Sequence, residues 1–204
     1  MISVLIADDH PLLRSGIAAV LSAEGVCSVV AEAGDGIEAV EQYKRFRPDI
    51  TLMDLQMPGG DGIEATAAIR RIDPEARIII LTTFDGDVQV ARGLKAGASG
   101  YILKNLARHE LGKYILSVHA GLRALPQQVA ASLASNFQDD SLTKRELEVL
   151  RHVADGNSNQ RVGDQLGLKE DTVKAYMKAI LQKLHARDRT HAVTIALRRG
   201  YWEN

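Results

Sequence analysis

Carboxylates follow two apolar stretches of the sequence, at the point where each stretch ends. The first stretch ends in Asp8-Asp9, and the second, Ile50-Thr51-Leu52-Met53, ends in Asp54 before a loop rich in proline and glycine. If both are neighbouring parallel strands at the switch point of a doubly wound sheet, the three carboxylates converge. Crowded carboxylates repel one another unless a cation lies among them, and oxygen ligands suit Mg²⁺. We therefore predict a Mg²⁺ site held by Asp8 and Asp9, with Asp54 as the acceptor of a phosphoryl group.

Two further polar residues end apolar stretches in the same way. Thr82 follows Ile78-Ile79-Ile80-Leu81, and Lys104 follows Gly100-Tyr101-Ile102-Leu103. A hydroxyl can donate to a phosphoryl oxygen, and an ammonium group is a point charge suited to phosphate. Taken singly, Thr82 is also typical of a capping residue and Lys104 of a solvated lysine. Five polar residues that close four apolar strands at one edge favour a phosphoryl site.

This combination resembles the receiver domain of bacterial two-component response regulators. The matching positions are Asp8-Asp9, Asp54, Met57-Pro58, Asp61-Gly62, Thr82 and Lys104. The resemblance implies that a sensor histidine kinase phosphorylates Asp54 with Mg²⁺, and that the backbone carbonyl of Gln56 is a metal ligand. It also implies that Thr82 and Tyr101 form a switch pair, in which the hydroxyl moves to the phosphoryl group and the ring follows inward. In such domains Gln56 and Phe84 would flank the path of hydrolytic water, so we expect the Phe84 ring to prolong the phosphorylated state.

The elements that must position these side chains alternate between strands and helices over residues 1–120. This order predicts a doubly wound, five-stranded parallel sheet with helices on both faces. The predicted strands are Ile2–Ala7, Cys27–Ala33, Ile50–Met53, Ile78–Leu81 and Gly100–Leu103. The predicted helices are 11–23, Ile37–Phe46, Gly62–Ile72, Asp87–Ala96 and Leu106–His119.

The composition excludes several classes of protein. The chain has 204 residues, and it contains no apolar run near the roughly 20 residues that span a membrane, so no membrane partner is expected. Cys27 is the single cysteine, so an intrachain disulfide is excluded and a reducing cytoplasm is expected. The six histidines are scattered without ligand-like spacing, and no zinc is expected.

The net charge of −1 hides an asymmetry between the two parts of the chain. Residues 1–140 carry 13 Lys and Arg against 18 Asp and Glu, whereas residues 141–204 carry 12 against 8. An acidic part joined to a basic part indicates nucleic-acid binding by the basic one. Between them, residues 121–140 are predicted to be a linker with a weak helical pattern at Val129–Leu133.

Residues 141–204 show helical signals throughout. Thr143 and Glu146 form a capping box for a helix that Gly156 ends. A short second helix, Asn159–Leu166, and a third from about Glu170 to Leu184 give a helix-turn-helix pattern. An all-α domain therefore follows the α/β domain.

The third helix carries an apolar stripe and, on another face, Lys174 and Lys178 with Ala175 beside them. A lysine can reach guanine O6 and N7, and a small apolar residue can contact a thymine methyl group. A solvated lysine face on a packing helix explains the pattern equally well. Because both lysines lie in the first half of a candidate recognition helix, their position favours contact with double-stranded DNA.

This region resembles the LuxR-type helix-turn-helix of the NarL/FixJ class. The matching stretches are Leu142-Thr143, Arg145–Leu150, Thr172-Val173-Lys174, Lys183-Leu184 and Arg189–Val193. The resemblance implies sequence-specific DNA binding as a dimer, with the last helix, Thr190–Arg199, contributing to the dimer contact. It places Lys174, Ala175 and Lys178 at base-facing positions, and we assign further DNA contacts to Lys169, Thr172 and Asn159.

Departures from that family lie in the same region. Lys169 stands where the family often has Ser or Thr, Tyr176 where His is usual, and Val162-Gly163 where Ile-Ala is usual. They put the preferred DNA sequence in doubt rather than DNA binding.

The sequence thus predicts a DNA-binding response regulator in which phosphorylated Asp54 promotes homodimerisation and transcription control, with RNA polymerase as a further partner. One alternative is a phosphorylation-independent DNA-binding regulator that uses the receiver as a dimerisation module. Another is an enzyme that uses a Mg²⁺ carboxylate site to turn over phosphate esters. The polar set at the strand ends argues against the first, and the absence of a substrate-pocket motif argues against the second. We expect a chain that accepts a phosphoryl group and slowly loses it, not a turnover enzyme.

Overall fold

The structure is a computed structural model that describes residues 1–58, 61–82, 87–104, 107–125 and 142–202. The chain divides into two compact units, one formed mainly by the first 131 residues and the other mainly by the residues that follow. Two expectations from the sequence, the role of Phe84 and the helical pattern at Val129–Leu133, lie outside the described residues.

The first unit contains a five-stranded sheet in which every pairing is parallel. The strands are β1 (Ile2–Ala7), β2 (Cys27–Ala33), β3 (Ile50–Asp54), β4 (Ile78–Thr82) and β5 (Gly100–Leu103), in the order β2-β1-β3-β4-β5. The helices between and after them are α1 (Pro11–Glu24), α2 (Gly36–Phe46), α3 (Gly62–Ile72), α4 (Asp87–Lys95) and α5 (Ala107–His119). The predicted doubly wound α/β fold is confirmed, and β1 and β3 are neighbours at the switch point.

The core of the sheet explains why the central strands read as continuous apolar runs. All residues of β3 and β4 are buried, because helices cover both faces. On one face Ile17 of α1 and Ile115 of α5 join an apolar cluster, and on the other Tyr43 of α2 and Ile69 of α3 join a second. This packing fixes where each strand ends, and therefore where the polar residues beyond it lie.

The free edge of β5 is covered by residues that follow α5. Ala124 forms a parallel bridge with Gly100, and its carbonyl accepts a hydrogen bond of 2.8 Å from the amide of Tyr101. Ala124 falls within the predicted linker, yet it is buried against the sheet. Covering the edge protects it from pairing with another chain.

The second unit is helical in its described part, which confirms the predicted all-α domain. Its helices are α6 (Lys144–Ala154), α7 (Asn159–Leu166), α8 (Glu170–Lys183) and α9 (Arg189–Arg198). The predicted capping box at the start of α6 is present, with both reciprocal hydrogen bonds between Thr143 and Glu146. The last helix begins one residue earlier than predicted, because the Asp188 side chain caps it by accepting from the His191 amide.

Among the helices of the described ranges, none is long and apolar enough to cross a membrane.

Candidate functional site

The carboxyl ends of the strands bring the predicted site residues to one edge of the sheet. Asp8 directly follows β1. Asp54 is the last residue of β3 and pairs with Leu81 of β4. Thr82 ends β4 and pairs with Leu103, and Lys104 comes next. Asp8, Asp54 and Thr82 are buried polar residues, at 0%, 2% and 2% exposure.

Lys104 is the cation of this pocket. Its Nζ lies 2.7 Å from Asp54 Oδ2 and 2.8 Å from Asp8 Oδ2, and its side chain is 11% exposed. Burial lowers the pKa of the ammonium group, but its hydrogen bonds to the two carboxylates outweigh burial, so the pKa is raised above 10.5. Lys104 is therefore charged at neutral pH and bridges the two acids.

The Asp54 carboxylate is buried, and this burial shifts its pKa. Burial raises its pKa above the ordinary 3.8, and the charge on Asp8 adds to this effect, whereas Lys104 opposes it. The amide of Gln56 donates to Asp54 Oδ1 at 3.3 Å, and the Gln56 side chain is exposed. One oxygen of Asp54 thus faces a lysine and the other a backbone donor, which leaves the carboxylate fixed in orientation.

Four side chains offer metal-ligating atoms in the same pocket. One atom each from Asp8, Asp9, His10 and Asp54 lies within 4.8 Å of the others. Asp9 Oδ1 is buried, and Nδ1 of His10 lies 2.6 Å from it. A buried carboxylate oxygen is costly unless a cation, either a protonated imidazole or a metal ion, approaches it. The donor set is mostly oxygen, so this acidic pocket is compatible with a divalent metal ion.

The sequence interpretation missed His10, which it counted among scattered histidines. His10 is the residue before α1 and its amide donates to Asp8 Oδ1 at 2.8 Å. Its position directly after Asp8-Asp9 was the feature of the sequence that could have indicated a place in this pocket.

Two more residues shape the pocket through contacts that the sequence did not predict. The guanidinium of Arg14 donates to the Asp8 carbonyl at 2.6 Å and pairs with Glu32 at 3.0 Å, which holds the turn after β1. Gly62 begins α3 where a Cβ would overlap the Asp54 carbonyl oxygen and lie 2.9 Å from Leu55 Cα. Only glycine permits this close approach of α3 to the end of β3.

The proposed switch residues lie on adjacent strands. Thr82 ends β4 and Tyr101 is the second residue of β5, with its side chain fully buried. The resemblance predicts that the ring follows the hydroxyl inward, and in this structure the ring already lies inside. The role of the pair stays a prediction.

The second unit presents the predicted DNA-contacting side chains at its surface. Five of the six residues are exposed, and Asn159 is half-buried; the exposed ones are Lys169, Thr172, Lys174, Ala175 and Lys178. Lys169 precedes α8 and makes no side-chain cap, so its ammonium group does not serve the helix terminus. The five exposed positions therefore lie on the outer side of α8 or just before its start, whereas Asn159 is the first residue of α7.

Lys174 is engaged by two acids of its own helix. Its Nζ lies 3.0 Å from Glu170 Oε1 and 3.2 Å from Asp171 Oδ1, and hydrogen bonds to both raise its pKa. Exposed pairs of this kind contribute little stability, so a phosphate or a base edge can replace them.

The opposite side of α8 holds the helix in the core. Val173, Met177 and Ile180 are buried in the apolar cluster of this unit. At the end of the helix, Lys183 Nζ lies 2.7 Å from Glu146 Oε2. Burial tends to raise the pKa of Glu146, but Lys183 and Thr143 outweigh this, so its pKa is below 4.5.

Comparison with protein families matches both parts of the chain. Residues 4–116 match the family described as the response regulator receiver domain. Residues 140–196 match the family described as bacterial regulatory proteins, luxR family.

Relatives that match over nearly the whole chain carry regulatory names. The transcriptional regulatory protein YxjL of Bacillus subtilis is 41% identical over 98% of this chain and 96% of its own length. LiaR of the same organism is 40% identical over 97% of this chain and 98% of its own.

Solved structures of response regulators also match nearly the whole chain. The response regulator ChrA of a heme-sensing two-component system is 34% identical, with a TM-score of 0.58 over 97% of both chains. A structure described as an RcsB–DNA complex is 28% identical, with a TM-score of 0.72 over 97% of this chain and 98% of that one.

Proposed function

The chain belongs to the DNA-binding two-component response regulators that join a receiver domain to a LuxR-family helix-turn-helix domain, and from this premise we propose that phosphorylation of Asp54 controls dimerisation and sequence-specific DNA binding. The observation that carries the proposal is the position of Asp54, buried at a strand end beside Lys104, with Asp8 and Asp9 in reach. Its relatives are transcriptional regulators, which separates the chain from metabolic enzymes.

The chemistry proposed for the pocket is phosphoryl transfer from a histidine of a sensor kinase. An Asp54 carboxylate oxygen forms the new bond to phosphorus while the bond from phosphorus to the kinase nitrogen breaks. Lys104 stays within reach of the transferred oxygens and offsets their charge, and Thr82 donates a hydroxyl hydrogen bond. Mg²⁺ held by Asp8, Asp9, Asp54 and the Gln56 carbonyl would neutralise charge on the phosphoryl oxygens. Hydrolysis of the aspartyl-phosphate returns the resting state slowly.

The proposed conformational switch depends on Thr82, at the end of β4, and on Lys104, directly after β5. A phosphoryl group that attracts the Thr82 hydroxyl and the Lys104 ammonium changes what the ends of β4 and β5 contact. A ligand shifts an equilibrium only by its different affinity for the two states, and these contacts exist only in the phosphorylated one. The shift favours a homodimer, which binds double-stranded DNA in the cytoplasm. On the DNA, the homodimer contacts RNA polymerase.

DNA reading is proposed for the exposed side of α8. Lys174 and Lys178 are one turn apart, and Ala175 lies beside them. Lys174 is in the first half of the helix, as predicted, whereas Lys178 is the ninth of its 14 residues and lies just past the middle. A lysine that contacts a guanine edge contributes about 1–3 kcal/mol of discrimination against the wrong base. Lys169 and Thr172 reach the phosphate backbone, and Asn159 approaches from α7.

The test compares the wild type with Asp54→Asn in the presence of Mg²⁺, with and without beryllofluoride as a phosphoryl mimic. Molecular mass by light scattering and affinity for a selected operator are measured on the full chain. Asp61→Asn removes the charge of a half-buried carboxylate near the same edge and keeps a side chain that can cap α3, so it is the matched control. We expect beryllofluoride to raise both the dimer fraction and the affinity for the wild type and for Asp61→Asn only.

A different result assigns a different role. Tight DNA binding that is indifferent to beryllofluoride and to Asp54→Asn would refute the phospho-switch and make the receiver a dimerisation module. Lys178→Ala should weaken operator binding more than non-specific binding, with Lys144→Ala as the control on another helix. An equal loss of affinity for operator and for non-specific DNA would mean that Lys178 contacts a phosphate group and not a base.

A further inference from the structure

We propose that His10 is a nitrogen ligand of the divalent cation beside Asp54, and that it makes this pocket favour first-row transition ions over Mg²⁺. The inference rests on the proposed function, because it concerns the cation of the same carboxylate pocket. It adds a ligand that neither the sequence motif nor the family resemblance supplies.

The backbone places the imidazole ring at the pocket. His10 directly precedes α1, whose first residue is Pro11, and its own amide donates to Asp8 Oδ1 at 2.8 Å. The fixed backbone angle of proline at this helix start limits the direction from which the histidine enters. Ring atom Nδ1 then lies 3.2 Å from Asp8 Oδ1 and 2.6 Å from Asp9 Oδ1.

One ring nitrogen of His10 faces two carboxylate oxygens. When the ring is protonated, its distances to Asp8 Oδ1 and Asp9 Oδ1 are those of an ion pair. When the ring is neutral with its hydrogen on Nε2, Nδ1 is an acceptor with a lone pair, like the two oxygens beside it. These three atoms and an oxygen of Asp54 then form a set of donor atoms close enough together for one cation to share.

The spacing agrees with that interpretation. Adjacent ligands of a six-coordinate ion at 2.0–2.1 Å are about 3 Å apart. The two nitrogen–oxygen distances, 3.2 and 2.6 Å, bracket this value, and Asp54 offers an oxygen within 4.8 Å of both partners. The ring is 67% exposed, so no packing holds it away from an arriving ion.

A nitrogen ligand changes which ion the pocket prefers. Mg²⁺ prefers oxygen and gives up its water reluctantly, whereas imidazole suits later first-row ions. Three carboxylates without histidine bind both kinds through charge. The addition of one imidazole should therefore raise affinity for Co²⁺ while it leaves affinity for Mg²⁺ nearly unchanged.

The experiment measures binding of Co²⁺ and of Mg²⁺ to the full chain by titration calorimetry, for the wild type, His10→Asn and Asp54→Asn. His152→Asn, which changes a half-buried histidine of the second unit, is the matched control. A second readout is the electron spin echo of bound Mn²⁺, which detects a directly bonded nitrogen. Circular dichroism of each variant confirms that it is folded.

We expect His10→Asn to reduce Co²⁺ affinity by about ten-fold or more, with a much smaller effect on Mg²⁺, and to remove the nitrogen signal. An equal loss for both ions would make His10 only a positioning residue for Asp9 and overturn the proposal. Retention of the nitrogen signal in His10→Asn would also overturn it. If both ions bind through Asp54 and His10→Asn changes neither affinity, this inference fails and the proposed function stands. Wild-type protein that binds no ion would overturn both.

Discussion

Lys104 forms ion pairs with two buried carboxylates, Asp8 and Asp54, so its removal leaves both without their shared cation. At an effective dielectric constant of about 20, an ion pair at 2.7 Å or 2.8 Å corresponds to roughly 6 kcal/mol. Desolvation of the three groups offsets much of this. Breaking a buried pair by removing one partner costs about 3–5 kcal/mol, and we take this smaller figure for Lys104→Met without divalent ions at pH 7.

The pH dependence gives the sharper test. Burial raises the pKa of Asp54, and the nearby charge of Asp8 raises it further, whereas Lys104 lowers it. Lys104→Met should therefore raise the pKa of Asp54 above its wild-type value. A carboxyl whose folded pKa lies above its unfolded value favours folding when protonated, and it loses that contribution as the pH rises through the folded pKa. The deficit of Lys104→Met should therefore be largest at neutral pH and shrink as the pH falls. In the wild type the contribution of Lys104 is present below pH 10.5 and is lost as the pH rises through its raised pKa.

The assay must report on the receiver alone, since the chain has two units. Urea-dependent hydrogen exchange, read on peptides that cover β1 and β3, satisfies this requirement. Lys95→Met, at an exposed position of α4, is the control and should stay within about 0.5 kcal/mol of the wild type. A deficit below 1 kcal/mol, or one that does not change with pH, would refute the reasoning.

Three further changes test separate parts of the structure. Gly62→Ala should abolish beryllofluoride-induced dimerisation and destabilise the receiver by about 2–4 kcal/mol, because its Cβ would overlap the Asp54 carbonyl; urea unfolding and light scattering check both effects. Lys183→Met should destabilise the second unit by about 2 kcal/mol in a melt followed by tryptophan fluorescence, and the deficit should lessen as the pH falls through the lowered pKa of Glu146. Thr66→Val should stabilise the receiver by about 1 kcal/mol in urea, because the buried hydroxyl has no partner in the described ranges; a loss of stability would indicate a bound water there.

The strand ends could be predicted from sequence because burial on both faces leaves an unmistakable apolar run that a polar residue stops. Asp54 and Thr82 are such stops, and parallel pairing then brings them to one edge. The capping box at Thr143 was equally local, since it needs only two residues three apart.

Contacts that depend on the turn between elements could not be predicted in this way. Arg14 reaches the Asp8 carbonyl because α1 starts directly after a turn whose direction no periodicity encodes. His10 was counted among the scattered histidines although it directly follows Asp8-Asp9, because a shared pocket forms only when the pairing of β1 with β3 brings Asp54 beside them. The fit of Gly62 against β3 likewise appears only when α3 is docked.

The proposed recognition helix, α8, packs against the core on one side only, and this has a consequence for how the regulator can diversify. Its stability comes from Val173, Met177 and Ile180 and from the ion pair at Lys183, none of which belongs to the outward set at Lys174 and its neighbours. Substitutions on the outward side therefore cost the fold little. If α8 contacts operator bases as proposed, a duplicated gene can acquire a new operator preference through substitutions on this side while the domain remains folded. The same separation makes the outward side a natural place to build regulators with chosen target sequences.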